Sequence, residues 1–174
     1  LRGTTEQVYQ WRVAIAKHLS PTHTIINCVD MVGLVLLVCV KTTGTGETNH
    51  KHILNHQSTT TIKCGLKGRH GNKGAVAWRA FLHSTPVCVV NCHLAAGQLN
   101  QSDRNADAAL IMKTLHFPAI HHQYHPLLDF TSIMDHQVVL WMGDLNYRID
   151  GFDRDTAISM VRDKDYQGLL IGDQ

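Results

Sequence analysis

One stretch decides the fold of this chain: Val138-Val139-Leu140-Trp141-Met142-Gly143-Asp144-Leu145-Asn146-Tyr147-Arg148. An apolar run of strand length that ends abruptly in polar residues is typical of a buried strand that carries side chains to the rim of a sheet. At that rim Asp144 can accept a proton, Asn146 can donate to a phosphate oxygen without adding charge, and Arg148 can neutralise an anion. The combination suits hydrolysis at phosphorus.

The bulk composition is that of an ordinary soluble globular protein. The chain has 174 residues, of which 44% are hydrophobic and 17% are charged, and its formal net charge is +2. This length can bury one core, so we expect one domain or part of one. Because the net charge is small and no long block of Lys or Arg is present, we expect no nucleic acid partner, and any anion site must be local.

Three features of the sequence indicate where the protein is located and whether the chain is a piece of a longer protein. The longest apolar run, 31–40, is too short to span a bilayer, and the chain does not open with a signal sequence, so a membrane contact would be peripheral. The five cysteines are odd in number and form no Cys-x-x-Cys pair, which favours reduced thiols and a cytoplasmic location. Since the first residue is not Met, we expect a piece of a longer protein.

The spacing of apolar residues predicts three helices. The first is amphipathic, runs from Glu6 to Leu19 and ends at Ser20-Pro21. A second helix is predicted after a cap at Ser102 or Asp103 and ends near Phe117-Pro118. The third follows the motif strand, and we predict Asp155 as its cap.

Apolar and β-branched runs predict the strands, which lie at 32–41, 74–82, 86–91 and, less clearly bounded, within 53–63. The first of these is apolar enough to be buried on both faces. A turn or loop is predicted at 42–48, and a loop rich in His and Pro runs to about Asp135. The mixture of strands and helices over the whole length indicates an α/β or α+β fold, with no repeat and no linker.

A second strand also ends in polar residues, because 87–90 leads into Asn91-Cys92-His93. If this strand lies beside the motif strand and points the same way, His93, Asp144 and Asn146 converge on one rim. They would supply a proton carrier, a base or metal ligand, and a neutral phosphate donor. Taken singly, each has an ordinary structural explanation as a turn former or a backbone partner, so the hypothesis rests on the three together.

A glycine-rich basic loop, 65–74, precedes one of the predicted strands. Its glycines permit close backbone approach, and Lys67, Arg69 and Lys73 supply positive charge for a phosphate. Because Gly74 follows Lys73 and a strand follows the loop, it is not a Walker loop. The alternative is a flexible hairpin with a solvated charge cluster.

The chain contains 13 histidines, some of them in two groups that invite comparison with zinc sites. The groups are His50, His52 and His56, and His121, His122 and His125. Neither group is accompanied by Cys or an acidic residue at ligand spacing, so solvated loop histidines are the favoured interpretation.

Several motifs resemble those of a known family, the inositol polyphosphate 5-phosphatases of the endonuclease/exonuclease/phosphatase superfamily. Three main stretches carry the resemblance: Gly71-Asn72-Lys73-Gly74-Ala75-Val76, Asn91-Cys92-His93-Leu94-Ala95-Ala96-Gly97, and Trp141 to Ile149. Two further stretches are similar to family motifs: Arg104-Asn105-x-Asp107, and Leu169 to Gln174. Order and spacing agree from about Trp11 to the end of the chain.

The resemblance implies a fold and a chemistry. The fold is a sandwich of two mixed β-sheets flanked by helices, with a Mg²⁺-dependent site at one rim. The implied substrate is a phosphoinositide headgroup or a soluble inositol phosphate, hydrolysed at its 5-phosphate at the cytosolic face of a membrane. The attack on phosphorus would be in line, with charge stabilised electrostatically.

The resemblance also implies roles for individual residues. Asp144 would orient or deprotonate the attacking water, while Asn146 and His93 would hold the scissile phosphate. The substrate's other phosphates, above all the one at position 1, would contact three residues of the basic loop: Arg69, Asn72 and Lys73. Arg148 would buttress the loop or the phosphate.

Parts of the family pattern have no counterpart in this sequence. These parts are the upstream Gln-Glu motif, whose Glu binds the metal, and the downstream Ser-Asp-His motif. We therefore expect residues 1–174 to be the central portion of a single catalytic domain, truncated at both ends, inactive or nearly so alone, with its main metal carboxylate outside the chain. The alternatives are a catalytically dead phosphoinositide- or protein-binding remnant, and a nuclease or other phosphodiesterase with little dependence on Lys73.

Overall fold

A computed structural model describes residues 2–42, 53–65, 70–120 and 130–174. The strands are β1 (His23–Met31), β2 (Leu34–Lys41), β3 (Leu54–Cys64), β4 (His70–Leu82), β5 (Thr85–His93) and β6 (Val138–Asp144). The α-helices are α1 (Arg2–Leu19), α2 (Gln101–Thr114), α3 (Arg154–Arg162) and α4 (Tyr166–Leu170). A 3-10 turn, Ile133–Asp135, precedes β6.

The strands form two sheets. β1 and β2 pair as an antiparallel hairpin, and the larger sheet has the order β3-β4-β5-β6. Within the larger sheet β3, β4 and β5 are antiparallel neighbours, whereas β5 and β6 run parallel. The predicted α/β (α+β) fold with two sheets and flanking helices is confirmed, and the smaller sheet is purely antiparallel.

The side chains of β4 contribute to two apolar layers, one on each face of the sheet, because successive residues of a strand point to opposite faces. One layer lies between the hairpin and the sheet and contains Val29, Met31, Leu34, Leu36, Val76, Trp78 and Ala80. The other lies between the sheet and α2 and includes Ala75, Ala77, Val90, Ile111, Leu115 and Ile133. The hairpin therefore packs as the second sheet of a sandwich, and α2 covers the opposite face.

The hairpin differs from the sequence prediction. A strand over 32–41, buried on both faces, is wrong: Val32 and Gly33 form the turn between β1 and β2. In β2, Leu34 and Leu36 are buried while the alternating residues Val35 and Leu37 are half-buried, so only one face is covered by the larger sheet. The strand β1 was not predicted, because Asn27 and Asp30 interrupt its apolar pattern. The strands predicted at 74–82 and 86–91 are present and extend further, and the one predicted within 53–63 is β3, which ends one residue later.

The helices are present, but two caps differ from the prediction. α2 begins at Gln101 after Asn100 and has no side-chain cap, so neither Ser102 nor Asp103 is its N-cap. It ends at Thr114, because Leu115 is extended. The N-cap of α3 is Asp153, not Asp155. None of the helices described is long and apolar enough to cross a bilayer.

Candidate active site

The parallel pairing of β5 and β6 brings the two predicted polar strand ends together. His93 and Asp144 are register partners at the carboxyl ends of the two strands. The backbone N–H of Leu94 donates to the Asp144 carbonyl at 3.0 Å, so the alignment continues past the last pair. This topology explains why two residues far apart in sequence occupy one rim.

A third side chain reaches the same rim from β4. Gly74 is the antiparallel partner of His93, and Lys73 lies directly before it. The Nζ of Lys73 is 2.6 Å from Nε2 of His93, and the same Nε2 is 3.3 Å from Oδ2 of Asp144. The structure thus brings together three of the predicted site residues around one imidazole nitrogen.

The shared nitrogen restricts where the protons can lie. Nε2 of His93 carries either a lone pair, which accepts from the Lys73 ammonium, or a proton, which it donates to Asp144. Desolvation lowers the pKa of Lys73, although the carboxylates of Asp144 and Asp107 oppose this shift. The cluster can therefore hold a proton next to an anion that develops at the rim.

Glycine is required where the backbones at this rim approach one another. Gly143 has a φ of +129°, and a Cβ built on it would lie 2.0 Å from the Cys92 carbonyl oxygen. Gly74 has a φ of +141°, and its Cβ would lie 2.0 Å from the Ile62 carbonyl oxygen. A side chain at Gly143 would separate β6 from β5, which carry Asp144 and His93, and one at Gly74 would push β4, which carries Lys73, away from β3.

Asn146 is held at the rim by a tight local turn. Its φ is +57°, and its backbone N–H donates to Oδ1 of Asp144 at 3.2 Å. Asparagine tolerates this left-handed conformation better than most residues. Its Nδ2 donates to the Leu94 carbonyl at 3.0 Å, which uses one of the two amide hydrogens.

Arg148 lies against Asn146. Its Nε donates to the Asn146 carbonyl at 3.1 Å, and its Nη2 donates to Oδ1 of the same residue at 2.9 Å. Of the two roles that the resemblance implies for Arg148, buttressing the loop has these contacts in its support. A phosphate contact by its remaining N–H groups stays a prediction.

The basic loop is only partly described. Asn72 is exposed on β4 beside Lys73, where it can meet a substrate. Arg69 and Lys67 lie outside the described residues, and their predicted roles stay predictions. The turn predicted at 42–48 lies almost wholly outside them, and so do five of the six grouped histidines.

Two residues of α2 support the rim, although no role was predicted for them. Asp107 is half-buried and its Oδ2 accepts from the Ala95 backbone N–H at 3.0 Å. Burial raises the pKa of Asp107, while that hydrogen bond and the nearby Lys73 lower it. Arg104 is fully buried and donates through Nη1 to the carbonyls of Ala95, at 3.2 Å, and Gly97, at 2.7 Å. Their spacing of three residues, which places both on one helix face, is the signal in the sequence.

The residues that the structure describes do not by themselves form a binding site for Mg²⁺. Within the described ranges, no group of three or more His, Cys, Asp or Glu side chains is placed to hold a metal ion. Of the described residues near His93, Asp144 offers an exposed carboxylate, whereas the half-buried Asp107 carboxylate accepts a hydrogen bond from the Ala95 N–H. Mg²⁺ binds through one or two carboxylates plus phosphate and water oxygens, so Asp144 can contribute a single ligand.

Comparison with known proteins identifies the class. The family model for endonuclease/exonuclease/phosphatase family 2 matches residues 2–174, so the chain belongs to this family. Its relatives include the type II inositol 1,4,5-trisphosphate 5-phosphatase of Mus musculus, 36% identical over 172 residues, which are 98% of this chain and 16% of that protein. Synaptojanin-1 of Rattus norvegicus is 32% identical over 174 residues, 99% of this chain and 10% of that protein.

Solved structures agree with this assignment. The inositol polyphosphate 5-phosphatase domain of a synaptojanin, solved with inositol (1,4)-bisphosphate and a calcium ion, matches with a TM-score of 0.71 and 26% identity over 94% of this chain and 43% of that chain. A Cimex nitrophorin matches at a TM-score of 0.57 but only 14% identity, which shows a shared fold and no more. The resemblance to inositol polyphosphate 5-phosphatases is therefore confirmed, and the chain spans less than half of the solved domain.

Proposed function

We propose that this chain forms part of the catalytic rim of a phosphatase that removes the 5-phosphate from phosphoinositides or inositol polyphosphates. The observation that carries the proposal is the cluster in which Nε2 of His93 lies 2.6 Å from Lys73 and 3.3 Å from Asp144. A relative that matches 98% of this chain at 36% identity is named as an inositol 1,4,5-trisphosphate 5-phosphatase. A cation, a proton carrier and a carboxylate at one rim suit attack on phosphorus.

The residues divide the work as follows in this proposal. Asp144, whose side chain is 63% exposed, orients a water molecule and accepts its proton. Asn146 offers its second Nδ2 hydrogen to a phosphate oxygen, and His93 holds the same phosphate or protonates the leaving oxygen. Lys73 and Asn72 bind another phosphate of the inositol ring, as Arg69 would. Most of the rate enhancement then comes from positioning and electrostatics.

We expect a divalent ion, Mg²⁺, to assist by stabilising charge on the phosphate when it is bound. The proposal has support from the metal ion in the related synaptojanin domain, which is calcium in that structure. Because the described residues offer only a single ligand, we expect the 174-residue chain to hydrolyse its substrate slowly or not at all unless the rest of its protein is present.

The ligand of the related synaptojanin domain supports a proposal for the substrate class. The related synaptojanin domain was solved with inositol (1,4)-bisphosphate, which favours a ring bearing several phosphates. We propose that the same site accepts a soluble inositol phosphate or a lipid headgroup, the latter through a peripheral contact at the cytosolic face of a membrane. No nucleic acid partner is proposed.

A non-catalytic alternative has one observation in its favour, which is the absence of a metal-ligand cluster among the described residues. In that case the rim would bind a phosphoinositide or a protein without turnover. The two functions differ in a direct assay, since a binding protein retains the inositol phosphate and releases no inorganic phosphate.

The test is phosphate release from inositol 1,4,5-trisphosphate and from phosphatidylinositol 4,5-bisphosphate vesicles, with and without Mg²⁺, by the longest protein that contains this chain. We predict that Asp144→Asn lowers kcat by at least about 100-fold, because the base is lost. The matched control is Asp155→Asn. Asp155 is exposed, and its Oδ1 lies 3.7 Å from Nη1 of the exposed Arg154. Release of phosphate at equal rates by both variants, or cleavage of DNA in place of either substrate, would overturn the proposal.

A further inference from the structure

We propose that Arg104 and Gln174 are positioning residues of this site, which act through Arg148 to fix the side-chain amide of Asn146. The inference rests on the proposed function, because it assigns a role in that reaction. Neither residue reaches the cluster around His93 directly. Both belong to stretches that resemble family motifs, and no role followed from the motifs themselves.

The first link joins Arg104 to Gln174. The guanidinium of Arg104 is fully buried, and its Nη2 donates to Oε1 of Gln174. Its plane faces Tyr147, with Cζ 5.4 Å from the ring centroid. Its Nε has no hydrogen-bond acceptor within the described part of the chain. Burying a guanidinium costs more free energy than burying an apolar side chain of similar size. We therefore infer that Arg104 serves to fix the positions of the groups to which it donates.

The second link joins Gln174 to the backbone of Arg148. Oε1 of Gln174 accepts from the Arg148 N–H at 3.1 Å, and the Gln174 N–H donates to the Arg148 carbonyl, also at 3.1 Å. The amide is itself held in place, because its Nε2 donates to the Gln98 carbonyl at 3.0 Å and to Oδ2 of Asp150 at 2.7 Å. The two amide ends of Gln174 therefore cannot exchange places without breaking both pairs.

The third link sets the chemistry of Asn146. The guanidinium of Arg148 donates to Oδ1 and to the carbonyl oxygen of Asn146, so Oδ1 is already paired with a cation. Nδ2 then faces Leu94, and its second hydrogen is left for a phosphate oxygen. If Arg148 shifted, only the hydrogen bond from Nδ2 to the Leu94 carbonyl would hold the amide, which could then turn more easily and present an oxygen to the anion. The path from Arg104 to Asn146 thus helps to hold the amide in the orientation that binds an anion.

The first experiment compares Gln174→Ala with Gln101→Ala in the longest protein that contains this chain. Gln101 is a matched control, because its Nε2 donates to the backbone carbonyl of Gln174 at 3.2 Å and does not contact the Gln174 side chain. We expect Gln174→Ala to lower kcat about 10- to 100-fold, with a smaller change in KM, because a group that stabilises the transition state is misplaced. Gln101→Ala should stay within about twofold.

The second experiment is a rescue. Gln174→Glu keeps the oxygen that accepts from Arg104 and Arg148, but places a carboxylate against Asp150. Asp150→Asn in the same protein converts that repulsion into a hydrogen bond. We expect turnover to fall in the single variant and to recover in part in the double variant, because the Gln98 carbonyl still faces the carboxylate. Failure to recover, while thermal stability does, would overturn the positioning role.

A readout that does not depend on activity separates this proposal from the proposed function. By NMR, the Arg148 backbone amide should exchange slowly, and the Asn146 side-chain amide should give a single resolved pair of signals. Loss of both features in Gln174→Ala but not in Gln101→Ala supports the proposal even if no substrate is hydrolysed, in which case only the proposed function fails. Unchanged signals in Gln174→Ala would overturn it, whatever the activity.

Discussion

Gly143 occupies a residue position at which the backbone of β6 passes close to that of β5. Its positive φ and the 2.0 Å approach of a built Cβ to the Cys92 carbonyl leave no room for a side chain. We predict that Gly143→Ala lowers the free energy of unfolding by more than about 3 kcal/mol, because the clash is with backbone. Urea unfolding followed by circular dichroism measures the change.

The control for this prediction is Gly33→Ala in the hairpin turn. Gly33 also has a positive φ, +77°, but nothing lies within 4 Å of a built Cβ. Its cost should be about 1 to 2 kcal/mol, from conformational strain alone. Equal losses at the two positions would mean that the close approach at Gly143 does not matter.

The half-buried carboxyl group of Asp107 should make the stability of the protein depend on pH. Burial raises its pKa above the ordinary value of 3.8 in the folded state, so the unfolded chain ionises first as the pH rises. The folded state then holds more protons, and stability is lost between pH 3.8 and the raised pKa. Asp107→Asn retains an acceptor for the Ala95 N–H but cannot ionise.

We therefore expect Asp107→Asn to gain stability relative to the wild type as the pH rises through that window. Urea unfolding of both proteins at pH 3.5, 5 and 7 gives the comparison. A difference that stays constant with pH, or that shifts in favour of the wild type, would contradict the assignment of a raised pKa.

The helix α3 provides a test for a single element. Asp153 is its N-cap and accepts from the Thr156 backbone N–H at 2.7 Å, while Asp155 lies inside the first turn. We predict that Asp153→Ala increases hydrogen exchange at Thr156 and its neighbours, because an N-terminal donor loses its partner. Asp155→Ala should leave this exchange nearly unchanged, and a larger effect at Asp155 would contradict the observed cap.

The individual helices and strands show how much of the fold could be predicted from the sequence. A strand ending at Asp144 and a second ending at His93 were predictable, because each apolar run stops at a polar group, and their meeting followed once both strands were assumed parallel. The choice of Asp153 over Asp155 was not, since either aspartate can cap a helix that begins near residue 154. Gln174 belongs to a stretch that resembles a family motif, but its role was not predictable because its partners lie far away in sequence.

At the scale of the whole molecule, stability depends on contact between the hairpin and the larger sheet. Leu36 is 5% exposed and lies in this layer with Val76 and Trp78. We predict that Leu36→Ala lowers the free energy of unfolding by about 2 to 4 kcal/mol, because it leaves a cavity between the sheets. Urea unfolding monitored by tryptophan fluorescence measures the loss.

The matched control for that prediction is Leu99→Ala, since Leu99 is 92% exposed. It should change the unfolding free energy by less than about 0.5 kcal/mol. A similar small loss for Leu36→Ala would mean that the hairpin does not pack against the sheet in solution.

The mixture of antiparallel and parallel pairing in the larger sheet also suggests an order in which its strand contacts form during folding. The strands β4 and β5 are joined by a short turn at residues 83–84, so the contact between Lys73 and His93 can form as a local hairpin closes. The parallel contact of β5 with β6 must instead close the long connection 94–137, and such non-local pairings form slowly. We expect a folding chain to present its lysine and histidine first, and to acquire the carboxylate of Asp144 only in the final stage of assembly.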